Sequence, residues 1–234
     1  MPKPMSPTLL TISLDQLQLA PGSIVTIPDI SWEQYEQLLI HTADHRSYHL
    51  TYDHGNLEIS MPSEAHEVLI RLMDWIISTL CEELELNLKT IGSTTLKAKS
   101  LATSPEPDNG YYIHNETQVR GRAVDLSQDP PPDLVVEINI ANIDSNKKAI
   151  YQRLNVPEFW IYSGRTQRLS FYVLQNNVLQ NNQYQPVDTS PTFPIMQPTT
   201  LQVFVTACQQ TGELMAKRQF RDWVKQQKQI WPLA

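Results

Sequence analysis

Glu106-Pro107-Asp108, then Pro132-Asp133-Leu134-Val135-Val136-Glu137-Ile138-Asn139-Ile140, then Asp144-Ser145-Asn146-Lys147-Lys148-Ala149-Ile150-Tyr151 form the stretch on which the reading of this chain turns. Leu134 to Ile140 is a short, β-branched, apolar run led in by Pro130-Pro131-Pro132, the pattern of a buried strand. An acid, Glu137, stands in its middle. A lone buried carboxylate costs several kcal/mol, so Glu137 must be neutral, paired or bound to a cation. Asp108 follows a proline just ahead of Tyr111-Tyr112-Ile113, a second expected strand. Two carboxylates on adjacent strands, with a lysine on the next helix, point to Mg²⁺-dependent cleavage of a phosphodiester.

Downstream, Asp144 or Ser145 is expected to cap a helix reaching about Leu154, and Phe159-Trp160-Ile161-Tyr162 reads as another buried strand. That order makes a βαβ unit with parallel strands and a right-handed crossover. Lys147, Ile150, Tyr151 and Leu154 recur at i, i+3, i+4 and i+7, one face of the helix. The apolar members must face the sheet, so Lys147 points inward, and Lys148 is turned about 100° away. The bland alternative is a Lys147 that lies along the sheet edge with its ammonium in water.

Upstream, residues 1–29 read as an arm carrying a short strand at Ile24-Val25-Thr26-Ile27. Ser31 is a fitting N-cap for a helix over Trp32 to Ile40. Tyr48, Leu50 and Tyr52 alternate, Asp53-His54-Gly55-Asn56 turns, and Leu57 to Met61 returns as a hairpin. Glu64 to about Leu86 is a long amphipathic helix with Val68, Leu69, Leu72, Met73, Ile76 and Leu80 on its stripe. His41, His45 and His49 stand four apart, a spacing that surface helix-end histidines explain as well as a metal does. His66-Glu67 lacks the second histidine of a zinc-protease helix. Leu88 to Lys99 reads as a strand bulged at Gly92. Beyond the core stretch, Leu169 to Leu174 and Val178 to Tyr184 suggest a hairpin about Asn176-Asn177. Gln185 to Thr199 reads as a Pro-rich loop, and Gln202 to Gln229 as mostly helical. The whole predicts an α/β fold, a mixed central β-sheet flanked by helices. The expected limits are an arm to 29, a domain over 30–200 and a C-terminal helical extension over 201–234.

Composition narrows the class. Of 234 residues 41% are hydrophobic and 18% charged, as in a water-exposed globular chain, and no apolar run reaches membrane-span length. No secretory leader is recognisable, and Cys81 and Cys208 lack metal or disulfide spacing, so free thiols and a cytoplasmic setting are expected. The net charge of −7 argues against a simple basic nucleic-acid binder. All of that excess lies in residues 1–70, which hold two basic and nine acidic side chains. Arg120, Arg122, Lys147, Lys148 and Arg153 remain as a local positive lining.

The ordered set Glu106-Pro107-Asp108, Pro132 to Ile138, Lys147 with Tyr151, and Val156-Pro157-Glu158-Phe159-Trp160 resembles the Uma2 family (DUF820) over roughly Ile30 to Val173. That family is similar in fold to the PD-(D/E)XK restriction-endonuclease-like superfamily, whose pattern is Pro-Asp followed by Asp/Glu-x-Lys. Pro107-Asp108 matches the first half and Glu137 the acid of the second, while Asn139 stands where the lysine would be. In Uma2-like chains the following helix supplies that lysine, which the resemblance places at Lys147. It also implies a site glutamate on the first long helix, at Glu67; a favourable charge at a helix N-terminus explains Glu67 equally.

The expected catalytic residues are therefore Asp108, Glu137, Lys147 and Glu67. The expected ligands of Mg²⁺ (or Mn²⁺) are Asp108, Glu137 and the carbonyl of Ile138. Asp133 is assigned to a turn or cap. The leading expectation is a metal-dependent endonuclease acting on DNA. The acidic charge and Asn139 keep open a degenerate nuclease fold used for binding or assembly, and a Mg²⁺ enzyme of small phosphate esters is a third reading. Leu214, Phe220, Trp223, Val224, Ile230 and Trp231 suggest a homodimer contact.

Overall fold

The computed structural model describes residues 18–42, 47–140, 146–175 and 182–230. Most of the expected arm (1–17), His45, the Asp144 and Ser145 cap, the Asn176-Asn177 turn and Trp231 lie outside the described residues. The elements run β1 (Ile24–Ile27), α1 (Trp32–Thr42), β2 (His49–Asp53), β3 (Asn56–Ser60), α2 (Glu64–Glu83), β4 (Lys89–Thr90), β5 (Thr103–Ser104), β6 (Asn109–Tyr112) and α3 (Glu116–Val119). They continue with β7 (Leu134–Asn139), α4 (Lys147–Arg153), β8 (Glu158–Ser163), β9 (Arg168–Gln175), β10 (Gln183–Val187), α5 (Pro198–Thr211) and α6 (Glu213–Ile230).

Ser31 and Gln34 cap α1 reciprocally, the Ser31 Oγ accepting from the Gln34 amide and the Gln34 side chain from the Ser31 amide. Ser63 likewise caps α2 by accepting from the His66 amide. Two sheets form. The smaller has order β1-β3-β2-β5 and the larger β10-β9-β8-β7-β6-β4. In the larger sheet β7 and β8 are parallel, in register from Leu134↔Glu158 to Asn139↔Ser163, and every other pair is antiparallel. The α/β class with a mixed central sheet is thus observed.

Strand β7 faces a helix layer on each side, so its side chains alternate between two cores. Leu134, Val136 and Ile138 pack with Leu72, Met73, Ile76 and Leu80 of α2, and with Leu201, Val205, Phe220 and Val224 of α5 and α6. Val135 packs on the opposite face with Ile150, Tyr151 and Leu154 of α4. Glu137 has the parity of Val135 and therefore points toward α4. A third cluster seats α1 on the small sheet, with Tyr35 and Tyr52 stacked at 4.9 Å. Among the described residues, no helix is long and apolar enough to cross a membrane.

Four expectations change. The strand expected over Leu88 to Lys99 shrinks to Lys89–Thr90, because Gly92 adopts φ +50° and turns the chain out of the sheet. The strand expected over Val178 to Tyr184 is described from Gln183 and runs on to Val187, anchored by the Tyr184 hydroxyl donating to the Val156 carbonyl, while 178–181 lie outside the described residues. Pro186 is admitted there because β10 is an edge strand. Of the apolar groups assigned to a dimer contact, Phe220 and Val224 are buried in the protomer and Trp223 packs on the main core, whereas Leu214 remains 72% exposed and the side chains of Ile230 and Trp231 lie outside those described. Val68 is also exposed, off the buried stripe of α2.

The C-terminal helices are therefore load carriers of the main core. Phe220→Ala should cost about 3–5 kcal/mol, the range for truncating a buried aromatic. Leu214→Ala should change stability by less than about 0.5 kcal/mol. Urea unfolding midpoints of the two variants check the contrast.

Candidate active site

The loop before β6 brings acids to the centre by alternation. Glu106 turns toward the small sheet, where its carboxylate accepts from the Leu50 amide at 2.8 Å and the Thr95 hydroxyl at 2.7 Å. Asp108, two residues on, turns toward β7. The β6–β7 ladder begins at Asn109↔Val136, and one step further the Asp108 Oδ2 takes the Ile138 amide at 2.7 Å. A side-chain carboxylate thus replaces the main chain as acceptor. In a strand the N–H and C=O of one residue face the same neighbour. The Ile138 carbonyl accordingly looks toward the Asp108 side, away from β8.

Glu137 extends from the α4 face of β7. Its Oε2 lies 2.6 Å from the Lys147 Nζ, and its Oε1 accepts from the Tyr151 hydroxyl at 2.6 Å. Lys147 and Tyr151 are one turn apart on α4, so a single helix face supplies both donors. Asp108, Glu137, the backbone at Ile138 and Lys147 line one cavity of about 230 Å³. Four of the five expected site positions are brought together there.

Glu67 is not among the residues lining the cavity; it stays in the first turn of α2, where a carboxylate complements the helix dipole. Its neighbour His66 reaches in instead, the Nε2 standing 3.1 Å from Asp108 Oδ2. His49 approaches the other oxygen, Nδ1 to Oδ1 being 3.9 Å. Glu58 also lines the cavity. On β3, Leu57 and Ile59 point into the α1 core, which sends Glu58 and Ser60 the other way. That alternation was readable in the sequence; what was hidden is that the outward face of the hairpin is the wall of a cavity.

The positive lining expected from arginines does not form. Arg120 pairs with Glu116, Arg122 with Asp129 and Arg153 with Asp53. Asp133 acts as a clamp, accepting from the amides of Ile113 and Asn115 at 2.7 and 3.0 Å. Asn139 lines the cavity and its carbonyl accepts from the Gly164 amide. A side chain at Gly164 would press to 2.9 Å against the Ile140 backbone, so the rim of the site needs this glycine.

The electrostatics follow from these contacts. Burial pushes the Asp108 carboxyl up, but Lys147, His66 and the Ile138 amide outweigh it and hold the group below the ordinary carboxylate range. Burial drives Glu137 upward, and the Asp108 charge adds to it against the pull of Lys147 and Tyr151. Burial pulls the Lys147 ammonium toward its neutral form, yet Glu137 and Asp108 outweigh that and hold its proton more tightly than in a free lysine. Burial also raises Glu58. Two central carboxylates thus share one ammonium, an arrangement that favours an added cation.

Among the described residues no cluster of three or more His, Cys, Asp or Glu is arranged to hold a metal. The donor set Asp108, Glu137 and the Ile138 carbonyl is all oxygen and incomplete, which suits Mg²⁺ or Mn²⁺, ions that keep waters and take substrate phosphate oxygens. His66 would then orient a ligand without being one. His66→Ala should weaken Mn²⁺ binding about 10–100-fold, as loss of a hydrogen bond to a ligand does. Glu67→Ala should leave it nearly unchanged. Calorimetric titration of both variants checks this, and equal losses would return Glu67 to the site.

Residues 32–206 match the model of the Uma2 family, described as "Putative restriction endonuclease". A solved structure from Anabaena variabilis, titled a "putative nuclease belonging to DUF820", has a similar fold. Its TM-score is 0.50 at 12% identity, with 70% of this chain and 95% of that one covered, a likeness that speaks to fold alone. No curated protein matches the chain. The family match spans well over half of the chain, from α1 into α5, and takes in every residue of the cavity's acid–lysine centre: the chain belongs to the Uma2 family.

Proposed function

We propose that this chain is a divalent-metal-dependent endonuclease that hydrolyses phosphodiester bonds of DNA. The observation that carries the reading is the Asp108–Glu137–Lys147 constellation, in which a buried carboxylate from the loop before β6, another from β7 and one helix lysine meet in a single cavity. The family description supports the reaction class.

Asp108 and Glu137, with the Ile138 carbonyl, would hold the cation. When bound, a Mg²⁺ or Mn²⁺ ion supplies Lewis-acid stabilisation of the phosphate and a more acidic water. Asp108 is pre-set for its part: Ile138 and His66 both engage its Oδ2, which fixes the carboxylate in the cavity wall. Lys147, bonded to Glu137 at 2.6 Å, acts as a fixed positive donor beside the reacting phosphate. Glu58, raised by burial and lining the same cavity, is the carboxylate placed to accept a proton from the attacking water.

The binding-module reading is favoured by one fact, the net charge of −7, which opposes tight association with DNA. A supercoiled plasmid assay separates the two. Cleavage should need Mg²⁺ or Mn²⁺ and vanish with chelator, and either Asp108→Ala or Glu137→Ala should abolish it. Lys147→Ala should keep Mn²⁺ binding while cleavage falls about 10²–10⁴-fold. Because it also leaves Glu137 buried without its cation, it should lose about 3–5 kcal/mol of stability. Mn²⁺ should return part of that loss, visible as a larger metal-induced rise in Tm than in the wild type. DNA binding with no cleavage under any divalent ion would replace the nuclease with the binding module.

A further inference from the structure

Lys148 follows the site lysine in sequence, and helix geometry turns it about 100° from Lys147. It nevertheless lines the same cavity, from the side formed by β8 and β9. Its Nζ stands 3.5 Å from the centroid of the Tyr172 ring, and Tyr172 also lines the cavity. The platform is rigid: Tyr172 is paired in register with Phe159 across the β8–β9 ladder, and the two rings pack at 6.2 Å.

The two lysines differ in what they have left to give. Lys147 is committed to Glu137 at 2.6 Å. Lys148 has no carboxylate or hydrogen-bond partner among the described residues, only the aromatic face. A ring holds an ammonium in place through its quadrupole without neutralising it, and all three N–H donors remain for an incoming acceptor. The cavity also carries Asp108, Glu137 and Glu58, two of them proposed to hold the cation, so a lysine bonded to none of them is a side chain free to meet an incoming phosphate.

We propose that Lys148, held over Tyr172, is a substrate-binding residue of this site, gripping a backbone phosphate of the nucleic acid while Lys147, tied to Glu137, stays beside the reacting phosphate. The inference rests on the nuclease reading and adds to it a side-chain contact for the substrate backbone. Partial burial lowers the lysine's pKa, a cost that an approaching phosphate would reverse. Tyr172 is a positioning residue, acting through Lys148.

The test uses the full chain and a short fluorescein-labelled DNA duplex, with binding measured in Ca²⁺ and cleavage in Mg²⁺. Lys148→Gln should weaken binding about 10–100-fold, the worth of a charge-assisted hydrogen bond. KM should rise by a similar factor with kcat close to that of the wild type, and the slope of log affinity against log salt should fall by about one. Mn²⁺ affinity should not change, since no metal ligand is touched. Lys148→Arg should recover most of the affinity. Binding by Lys148→Gln equal to the wild type overturns the inference, and so does an Arg variant as weak as the Gln variant, which would mean that the side chain only packs on Tyr172. In both cases a wild type that cleaves DNA leaves the nuclease reading standing. A wild type that neither binds nor cleaves DNA with any divalent ion removes both.

Discussion

One buried carboxylate governs this structure. Glu137 sits on the central strand with 4% of its surface exposed, between two apolar layers where a charge is costly. It is tolerated because α4 delivers an ammonium and a hydroxyl to its two oxygens from one helix face. The same contacts fix α4 against the sheet, so the requirement to satisfy the acid and the requirement to cover the strand have one solution. Removing either partner would leave the other stranded. This is why a polar residue can occupy the middle of a core strand, and why a chemically reactive group ends in a defined position.

The second organising feature is the alternation of Glu106 and Asp108. Glu106 ties the loop to β2 and to Thr95, and Asp108 ties it to β7 and to α2 through His66. The loop therefore fastens the small sheet to the large one, and the gap beside the fastening is the cavity. Its walls come from elements far apart in sequence: β2 and β3, the start of α2, the end of β7, the first half of β8, β9 and the start of α4. His49, Glu58, His66, Glu137 and Lys147 enter it from five of these elements, and β8 adds the apolar Phe159 and Ile161.

Legibility in the sequence followed the range of the interactions. The β7–α4–β8 unit was readable because its signals are local: a β-branched run, a helix face, and a second apolar run at the right separation. Lys147 was placed at the sheet rather than on the solvent side by the i, i+3, i+4 rule alone. Short-range turn signals misled where a tertiary contact won. Gln185 and Pro186 looked like loop, but an edge strand accepts them, and Tyr184 pins that strand by a bond to Val156. The aromatic residues of α6 looked like an interface because nothing in their own helix shows that α2 and α5 already cover them.

The sequence by itself determined the class of fold, the acid–lysine set and the face of α4 that meets the strand, because periods of 2.0 and 3.6 residues fix side-chain direction within an element. Only the tertiary structure decided which outward faces become inner walls. His66 rather than Glu67 meets Asp108 because α2 starts at an angle to the loop that no helical period records. Glu58 and Lys148 enter the cavity because a second sheet and the β8–β9 ladder close around it. The arginines stay out because carboxylates nearer to them in space have taken their charges. Direction within an element is a local property of backbone geometry, whereas the partner that a side chain finds depends on packing between elements, and the sequence states that only through the finished fold.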